Sequence, residues 1–146
     1  RVDFMKSLLP INFSRIVPDA IRCALSGKPL YIRSSSKFTR DYVFVSDIVN
    51  GYLVLAEKLN RLNLSGEAFN FSDENPITVI DLVKKIYQAV GVKENYKILD
   101  QAKYEIPHQY LASRKARKIL HWKAQVGLGQ GLKMTLRWYS QFLSSK

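Results

Sequence analysis

The stretch that decides the fold class is Thr39–Leu62, which reads TRDYVFVSDIVNGYLVLAEKLNRL. Its first seven residues, Thr39–Val45, are rich in β-branched and aromatic side chains, which predicts an extended strand. From Ile48 onward apolar residues recur at helical spacing, and Ser46 or Asp47 stands where a helix N-cap is expected. A strand that passes directly into an amphipathic helix indicates an α/β or α+β protein.

The alternation of helix and strand continues on both sides of this stretch. Asn12–Ser26 predicts a helix with Pro18 in its first turn and Gly27 as a left-handed C-cap. Thr78 and Asp81 resemble a capping box at the start of a later helix, which Gly91 ends. Further strands are predicted at Pro29–Arg33, Ala68–Ser72 and Tyr96–Leu99, and further helices at Arg114–Leu120 and Gly129–Leu143.

The composition fits an ordinary globular chain of one domain. It has 146 residues, of which 47% are hydrophobic and 24% are charged. The single cysteine, Cys23, excludes an intramolecular disulfide, and two histidines argue against a metal site. The sequence contains no apolar run of 18 residues and does not open with a signal peptide, so we expect a cytoplasmic protein.

The charge of the chain is unusual in both its size and its distribution. Lysine and arginine total 23 against 12 acids, which gives a net charge of +11. Residues 1–41 and 102–146 are strongly basic, whereas residues 42–101 are slightly acidic. Two basic ends that meet in the fold would form a site for an anion such as a nucleotide or nucleic acid. A solvated cationic surface explains the same charge equally well.

No catalytic motif is complete in this sequence. The glycine-rich string at residues 127–131 is GLGQG, which is neither GxGxxG nor a Walker A loop, and we interpret it as a turn and helix start. No tyrosine has a lysine four residues later, so the YxxxK pair of short-chain dehydrogenases is absent. His108 and His121 flank a basic segment without an evident serine or cysteine partner. We therefore assign no catalytic residue.

An ordered set of short motifs resembles the carboxy-terminal half of the extended short-chain dehydrogenase/reductases, the NAD-dependent epimerase/dehydratase family. Within that family the chain is most similar to nucleotide-sugar 4,6-dehydratases, especially the CDP-glucose branch. The motifs are NFSRIVPD at residues 12–19, GKPL at 27–30, RDYVFVSD at 40–47, AFNFS at 68–72, EIPHQYL at 105–111, KAR at 115–117 and LHW at 120–122.

This resemblance implies an α/β fold: the substrate-binding part of a Rossmann-type enzyme, without the amino-terminal half that binds the dinucleotide. Residues 12–146 would form the sugar-nucleotide-binding domain, and residues 1–11 are an atypical segment. The implied ligand is a nucleotide-sugar, above all a CDP-hexose. In this family NAD and the catalytic tyrosine and lysine belong to the amino-terminal half. A 4-epimerase is the alternative within the family, and a basic nucleic-acid-binding domain is the alternative from another class.

The resemblance also implies which residues touch the ligand. Arg40 would grip the diphosphate, since a guanidinium matches two phosphate oxygens; a surface pair with Asp41 or Asp47 is the competing interpretation. The residues that would line the cleft, frame the base or close over the diphosphate are Arg15, Ile16, Val17, Leu30, Tyr31, Arg33, Asn70, His108 and Gln109. For Arg33, Asn70 and His108, an ordinary surface or turn role fits equally well. Tyr42 and Phe44 are expected in the core.

Overall fold

The structure is a computed structural model that describes residues 15–102 and 104–144. Asn12 and the atypical segment 1–11 lie outside these residues. The elements in chain order are α1 Ile16–Ser26, β1 Leu30–Ile32, β2 Thr39–Arg40, α2 Val45–Lys58, β3 Ile77–Thr78, α3 Val79–Val90, β4 Tyr96–Ile98, β5 His108–Gln109, a π-helical turn Ala116–Leu120 and α4 Leu128–Ser144.

The main core lies between α1, α3 and α4 and one face of β1. It forms because apolar residues on α1 and α3 recur at helical spacing and face each other. The fully or nearly buried members are Ala20, Ile21, Ala24, Leu30, Ile32, Val79, Leu82, Val83, Ile86, Tyr87 and Leu132. Tyr87 keeps its hydroxyl satisfied in this core by donating to the Asn95 carbonyl at 2.8 Å. Leu30 and Ile32 of β1 are buried in this core, whereas Tyr31 between them is exposed.

Two small sheets complete the described fold. In the first, β1 pairs with β4 in parallel, with Leu30 opposite Tyr96. In the second, β2 lies between β3, which runs antiparallel to it, and β5, which runs parallel. The arrangement confirms the α/β class that the sequence predicts.

A second, smaller cluster packs α2 against the π-helical turn. Its buried members are Leu64, Ala116, Leu120 and Trp122. The buried Asp47 carboxylate accepts hydrogen bonds from the backbone N–H groups of Gln125 and Val126 at 3.1 and 2.9 Å. The Asp47 carbonyl accepts one from the Trp122 indole at 3.0 Å. Asp47 therefore ties α2 to the loop that leads into α4.

Predictions that rest on local capping rules agree with the structure. Pro18 lies in the first turn of α1, and Gly27 and Gly91 end α1 and α3 with φ of 69° and 80°. The Thr78 hydroxyl accepts a hydrogen bond from the Asp81 N–H at 3.1 Å, which confirms it as the N-cap of α3.

Three predictions that depend on tertiary partners differ from the structure. The strand predicted at Thr39–Val45 is limited to β2, because α2 already begins at Val45. Phe44 occupies the N-cap position of α2, and no side chain caps that end, since the Asp47 carboxylate is used by the 125–126 loop instead. The stretch Ala68–Ser72 forms no strand, because no described segment lies beside it to complete a ladder.

Candidate functional site

A cavity of about 390 Å³ opens between α1, β1 and the segment that follows β4. The start of α1 supplies Arg15 and Ile16, and β1 supplies Leu30, Tyr31 and Ile32. The other lining residues are Asp19, Arg33, Ser34, Arg40, Tyr42, Val79, Ala102 and Glu105. The cavity thus combines an apolar floor, fixed by the main core, with three arginines that come from three separate segments.

Arg40 is the most firmly held of these arginines. Its Nη1 donates to the carbonyls of Thr39 at 2.8 Å and Ile106 at 2.9 Å, with a longer contact to Pro107 at 3.4 Å. Its Nη2 lies 3.4 Å from an oxygen of Glu105. Arg40 therefore pairs with neither Asp41 nor Asp47, and its ion-pair partner comes from the segment before β5.

Arg15 and Arg33 line the cavity from the start of α1 and the end of β1. Both are exposed, and neither makes an ion pair with any residue that the structure describes. Asp19, the second acid of the cavity, is paired with Arg22. Three guanidinium groups against two carboxylates leave the cavity positive, which favours an anionic ligand.

Tyr42 forms the wall between this cavity and two smaller ones. Burial raises the pKa of its phenol, and the neighbouring Arg40 opposes that rise. Tyr42 packs against the main core, as expected for a core aromatic, whereas the half-buried Phe44 lies against Gly131 of α4 and belongs to neither core cluster. The phenol of Tyr42 is therefore neutral at pH 7 and contributes shape rather than charge.

A chain of polar contacts links Asp41, the residue after β2, to the π-helical turn. The Ser72 hydroxyl donates to one carboxylate oxygen of Asp41, and the other, Oδ1, is buried without a hydrogen-bond partner among the described residues. Ser113 donates from its hydroxyl to the Ser72 carbonyl at 3.0 Å and from its N–H to Glu74 at 2.6 Å. Arg117 closes the chain with an ion pair to Glu74 at 2.7 Å.

The structure brings together six of the ten residues that the resemblance implicates. Those in the cavity are Arg15, Ile16, Leu30, Tyr31, Arg33 and Arg40. Val17 points instead into a neighbouring cavity of about 100 Å³ against α4, because it lies one position further around α1 than Ile16. Asn70 is exposed on the irregular segment 68–72 and does not line the cavity.

His108 and Gln109 lie at the edge of this region without lining it. They form β5, which pairs with β2 so that His108 stands opposite Thr39 and Gln109 opposite Arg40. The His108 ring Nδ1 lies 3.0 Å from the Thr39 hydroxyl. Both side chains are exposed, so in this conformation they position β2 rather than enclose a ligand.

Sequence reasoning missed Ser34, Ala102 and Glu105 as parts of the cavity wall. Ala102 and Glu105 reach it because the N–H groups of Gln101 and Ala102 donate to the Arg33 carbonyl, at 2.7 and 3.2 Å, and fold the segment back. No motif marks Ser34 or Ala102, and Glu105 begins the EIPHQYL motif without having been assigned a role in the site. Only a prediction that β1 pairs in parallel with the strand at Tyr96–Ile98 would have placed Ala102 and Glu105 at the cavity.

The glycine-rich string at 127–131 is a turn and helix start, as predicted. α4 begins at Leu128, and the Gly131 N–H donates to the Gly127 carbonyl at 3.0 Å. A Cβ on Gly131 would meet the Phe44 ring at 3.0 Å, so that glycine serves packing. Within 15–102 and 104–144, no strand leads through a glycine-rich loop into a helix, and these residues do not fit a dinucleotide pyrophosphate.

The comparisons with known proteins agree with this architecture. Residues 11–71 match a family model described as the NAD dependent epimerase/dehydratase family. UDP-glucose 4-epimerase of Drosophila melanogaster is 32% identical over 103 residues, which are 70% of this chain and 29% of that protein. UDP-glucuronic acid decarboxylase 1 of Danio rerio is 28% identical over 137 residues, 94% of this chain and 32% of that protein.

A solved structure extends the agreement to the fold. The UDP-glucose 4-epimerase of Thermotoga maritima, solved with UDP-glucose, superimposes with a TM-score of 0.70 at 25% identity, over 92% of this chain and 42% of that one. Together the matches support the NAD-dependent epimerase/dehydratase family for this chain. The chain spans about a third of the length of the curated relatives it matches.

None of the described helices is both long enough and apolar enough to traverse a lipid bilayer. Across residues 15–102 and 104–144, no three histidine, cysteine or acidic side chains converge in a way that would bind a metal ion.

Proposed function

We propose that this chain is the nucleotide-sugar-binding portion of an NAD-dependent nucleotide-sugar epimerase or dehydratase. The observation that carries the proposal is the convergence of Arg15, Arg33 and Arg40 on one cavity with an apolar floor. Guanidinium groups bind phosphate oxygens through parallel charged hydrogen bonds, and an apolar slot with a few polar groups suits a base. The diphosphate would lie among the arginines and the base against β1.

The nucleotide to test first is uridine diphosphate, because the relatives are UDP-glucose 4-epimerases and a UDP-glucuronic acid decarboxylase. The resemblance of the motifs to CDP-glucose 4,6-dehydratases makes a CDP-hexose the second candidate. The choice between 4-epimerization and 4,6-dehydration depends on groups that no described residue supplies. Either reaction uses bound NAD as its hydride carrier. We propose that NAD binds to another part of the enzyme, not to the residues described here.

The contribution of this chain to the reaction would be positioning. A diphosphate held by three arginines fixes the hexose relative to a cofactor, and well-oriented reactants can save roughly 7–11 kcal/mol of the barrier. No described residue forms a nucleophile–base pair within the cavity. We therefore expect the 146-residue chain to bind nucleotide-sugars and to catalyse no turnover by itself.

A thermal-shift panel with UDP-, CDP-, dTDP- and GDP-sugars tests the proposal. At a concentration 100-fold above the Kd, binding adds about 2.7 kcal/mol, which raises the Tm of a chain of this size by roughly 5–10 °C. The matching nucleosides, which lack phosphates, should give little shift. The absence of a shift with every nucleotide-sugar would overturn the proposal.

The same material tests the nucleic-acid alternative. Binding to duplex DNA that falls by orders of magnitude between 50 and 200 mM salt, without any nucleotide-sugar shift, would favour that alternative. A nucleotide with a single diphosphate should show a much shallower salt dependence. Catalytic turnover of a nucleotide-sugar by the pure chain would contradict the proposal that the catalytic groups lie outside these 146 residues.

A further inference from the structure

Within the cavity, the Glu105 carboxylate contacts Arg40, the most firmly held of the three arginines. Its Oε2 lies 3.4 Å from Nη2 of Arg40, and both residues line the cavity. The Arg40 side chain is 21% exposed and the Glu105 side chain is 46% exposed. The cation is thus fixed within the wall, whereas the carboxylate reaches it from the solvent side.

The two ends of the Arg40 guanidinium have different surroundings. Nη1 is bound by the carbonyls of Thr39 and Ile106 at 2.8 and 2.9 Å, and these backbone groups fix the plane of the guanidinium. Nη2 has Glu105 as its one hydrogen-bond partner among the described residues. Nη2 is therefore the end that can change partners without disturbing the fold.

A carboxylate and a phosphate present similar pairs of oxygens to a guanidinium. A diphosphate that reaches Nη2 must displace Glu105 or remain close to a second negative charge, and either costs binding free energy. Arg15 and Arg33 carry no such competitor among the described residues. The competition is therefore specific to Arg40.

We propose that Glu105 is a competing anion for Arg40, a residue that lowers the affinity of the cavity for diphosphates and is displaced when one binds. This inference rests on the proposed function, because it concerns the same cavity. It adds a determinant of affinity that the resemblance does not supply. The residue acts on phosphate only, so its effect should be absent for a neutral ligand.

Isothermal titration calorimetry with UDP, CDP and the nucleoside uridine tests this inference on the full 146-residue chain. We expect Glu105→Gln to tighten the binding of both diphosphates by about three- to tenfold, since exposed ion pairs are weak, and to leave uridine unchanged. The gain should shrink as salt is raised from 50 to 300 mM, because screening weakens the competition. Glu57→Gln removes the same charge from an exposed site on α2 and serves as the matched control.

A double-mutant cycle identifies the cation through which Glu105 acts. In an Arg40→Gln background, Glu105→Gln should no longer change diphosphate affinity. An unchanged affinity in Glu105→Gln, an equal gain in Glu57→Gln, or a gain that persists without Arg40 would each overturn the inference. If neither the parent chain nor Glu105→Gln binds any diphosphate, the proposed function itself fails, whereas diphosphate binding that is unaffected by Glu105→Gln refutes only this inference.

Discussion

Gly51 shows how a single missing methyl group shapes the smaller core. It lies buried in α2 against the ring of Phe71, and a Cβ at this position would stand 2.8 Å from a ring carbon. The ring has little room to move, because its other side meets Trp122 edge-on at a centroid distance of 4.9 Å. The close approach of the helix to Phe71 therefore requires glycine here.

We predict that Gly51→Ala destabilises the chain by about 1–3 kcal/mol, the usual cost of overpacking a core. Denaturation in urea measures the change. Gly129→Ala in the first turn of α4 is the matched control, since its Cβ would meet nothing within 4 Å. That control should be neutral or stabilising by up to about 1 kcal/mol, because alanine favours helix over glycine. Equal effects of the two substitutions would contradict the packing explanation.

At the scale of elements, the loop after residue 72 is held to the π-helical turn through Glu74. Arg117, which binds the Glu74 carboxylate at 2.7 Å, is the main cause of the lowered pKa of that carboxyl, and the N–H of Ser113 adds to it. A carboxyl whose pKa is lower in the folded chain than in the unfolded one binds fewer protons when folded. Folding is therefore favoured above the unfolded value of about 4.5, and this contribution is lost as the pH falls below it.

We predict that Glu74→Gln removes this part of the acid dependence. The Tm of the parent chain should fall more steeply than that of Glu74→Gln between pH 5 and pH 3, and the two curves should converge at the acid end. Differential scanning calorimetry across this range measures both. Glu57→Gln, on an exposed face of α2 with no ion pair among the described contacts, should follow the parent curve. Parallel curves for parent and Glu74→Gln would show that the Arg117 contact contributes nothing.

Local signals predicted the elements whose ends depend on nearby residues. The Gly91 N–H and the Thr78 hydroxyl bond to groups within a turn of themselves, and Gly27 is required only by its own positive φ, so local sequence was sufficient for all three. Asp47 is a residue type that often caps helices, but its carboxylate accepts hydrogen bonds from backbone N–H groups nearly 80 residues further along the chain. No local rule contains that information.

The candidate site was predictable to a similar extent. Arg15, Arg33 and Arg40 were implicated by resemblance, and the structure gathers them in one cavity. Glu105 was not implicated: it begins the EIPHQYL motif, but nothing in the sequence shows that the fold brings its carboxylate to 3.4 Å from Nη2 of Arg40. Whether these residues bind a nucleotide remains a prediction.

At the scale of the whole molecule, α2 leaves an apolar face uncovered. Val45, Val49, Tyr52 and Leu53 are each more than half exposed and recur at helical spacing. The backbone of the neighbouring residues 69–71 makes no hydrogen bond to other backbone groups in the described chain. Apolar side chains that recur on one exposed helix face form a patch of the kind that promotes association.

We predict that the double substitution Val49→Lys with Leu53→Lys leaves the Tm of the isolated chain within about 2 °C, because neither side chain is buried. It should lower the binding of a hydrophobic dye and reduce self-association in sedimentation velocity runs. Asn50→Lys with Glu57→Gln adds the same charge to α2 without touching the apolar face and is the control. A large loss of Tm in the first variant would mean that this face is already packed.

The parallel pairing of β1 with β4 joins residues that are more than sixty positions apart. During synthesis from the amino end, the strand at Leu30–Ile32 therefore leaves the ribosome long before its partner at Tyr96–Ile98 exists. Contacts of such long sequence separation form late, since the intervening chain must first be closed into a loop. The floor of the cavity therefore cannot be completed before β4 has been synthesised, and a nascent chain that stops short of Tyr96 also lacks Ala102 and Glu105 of the cavity wall.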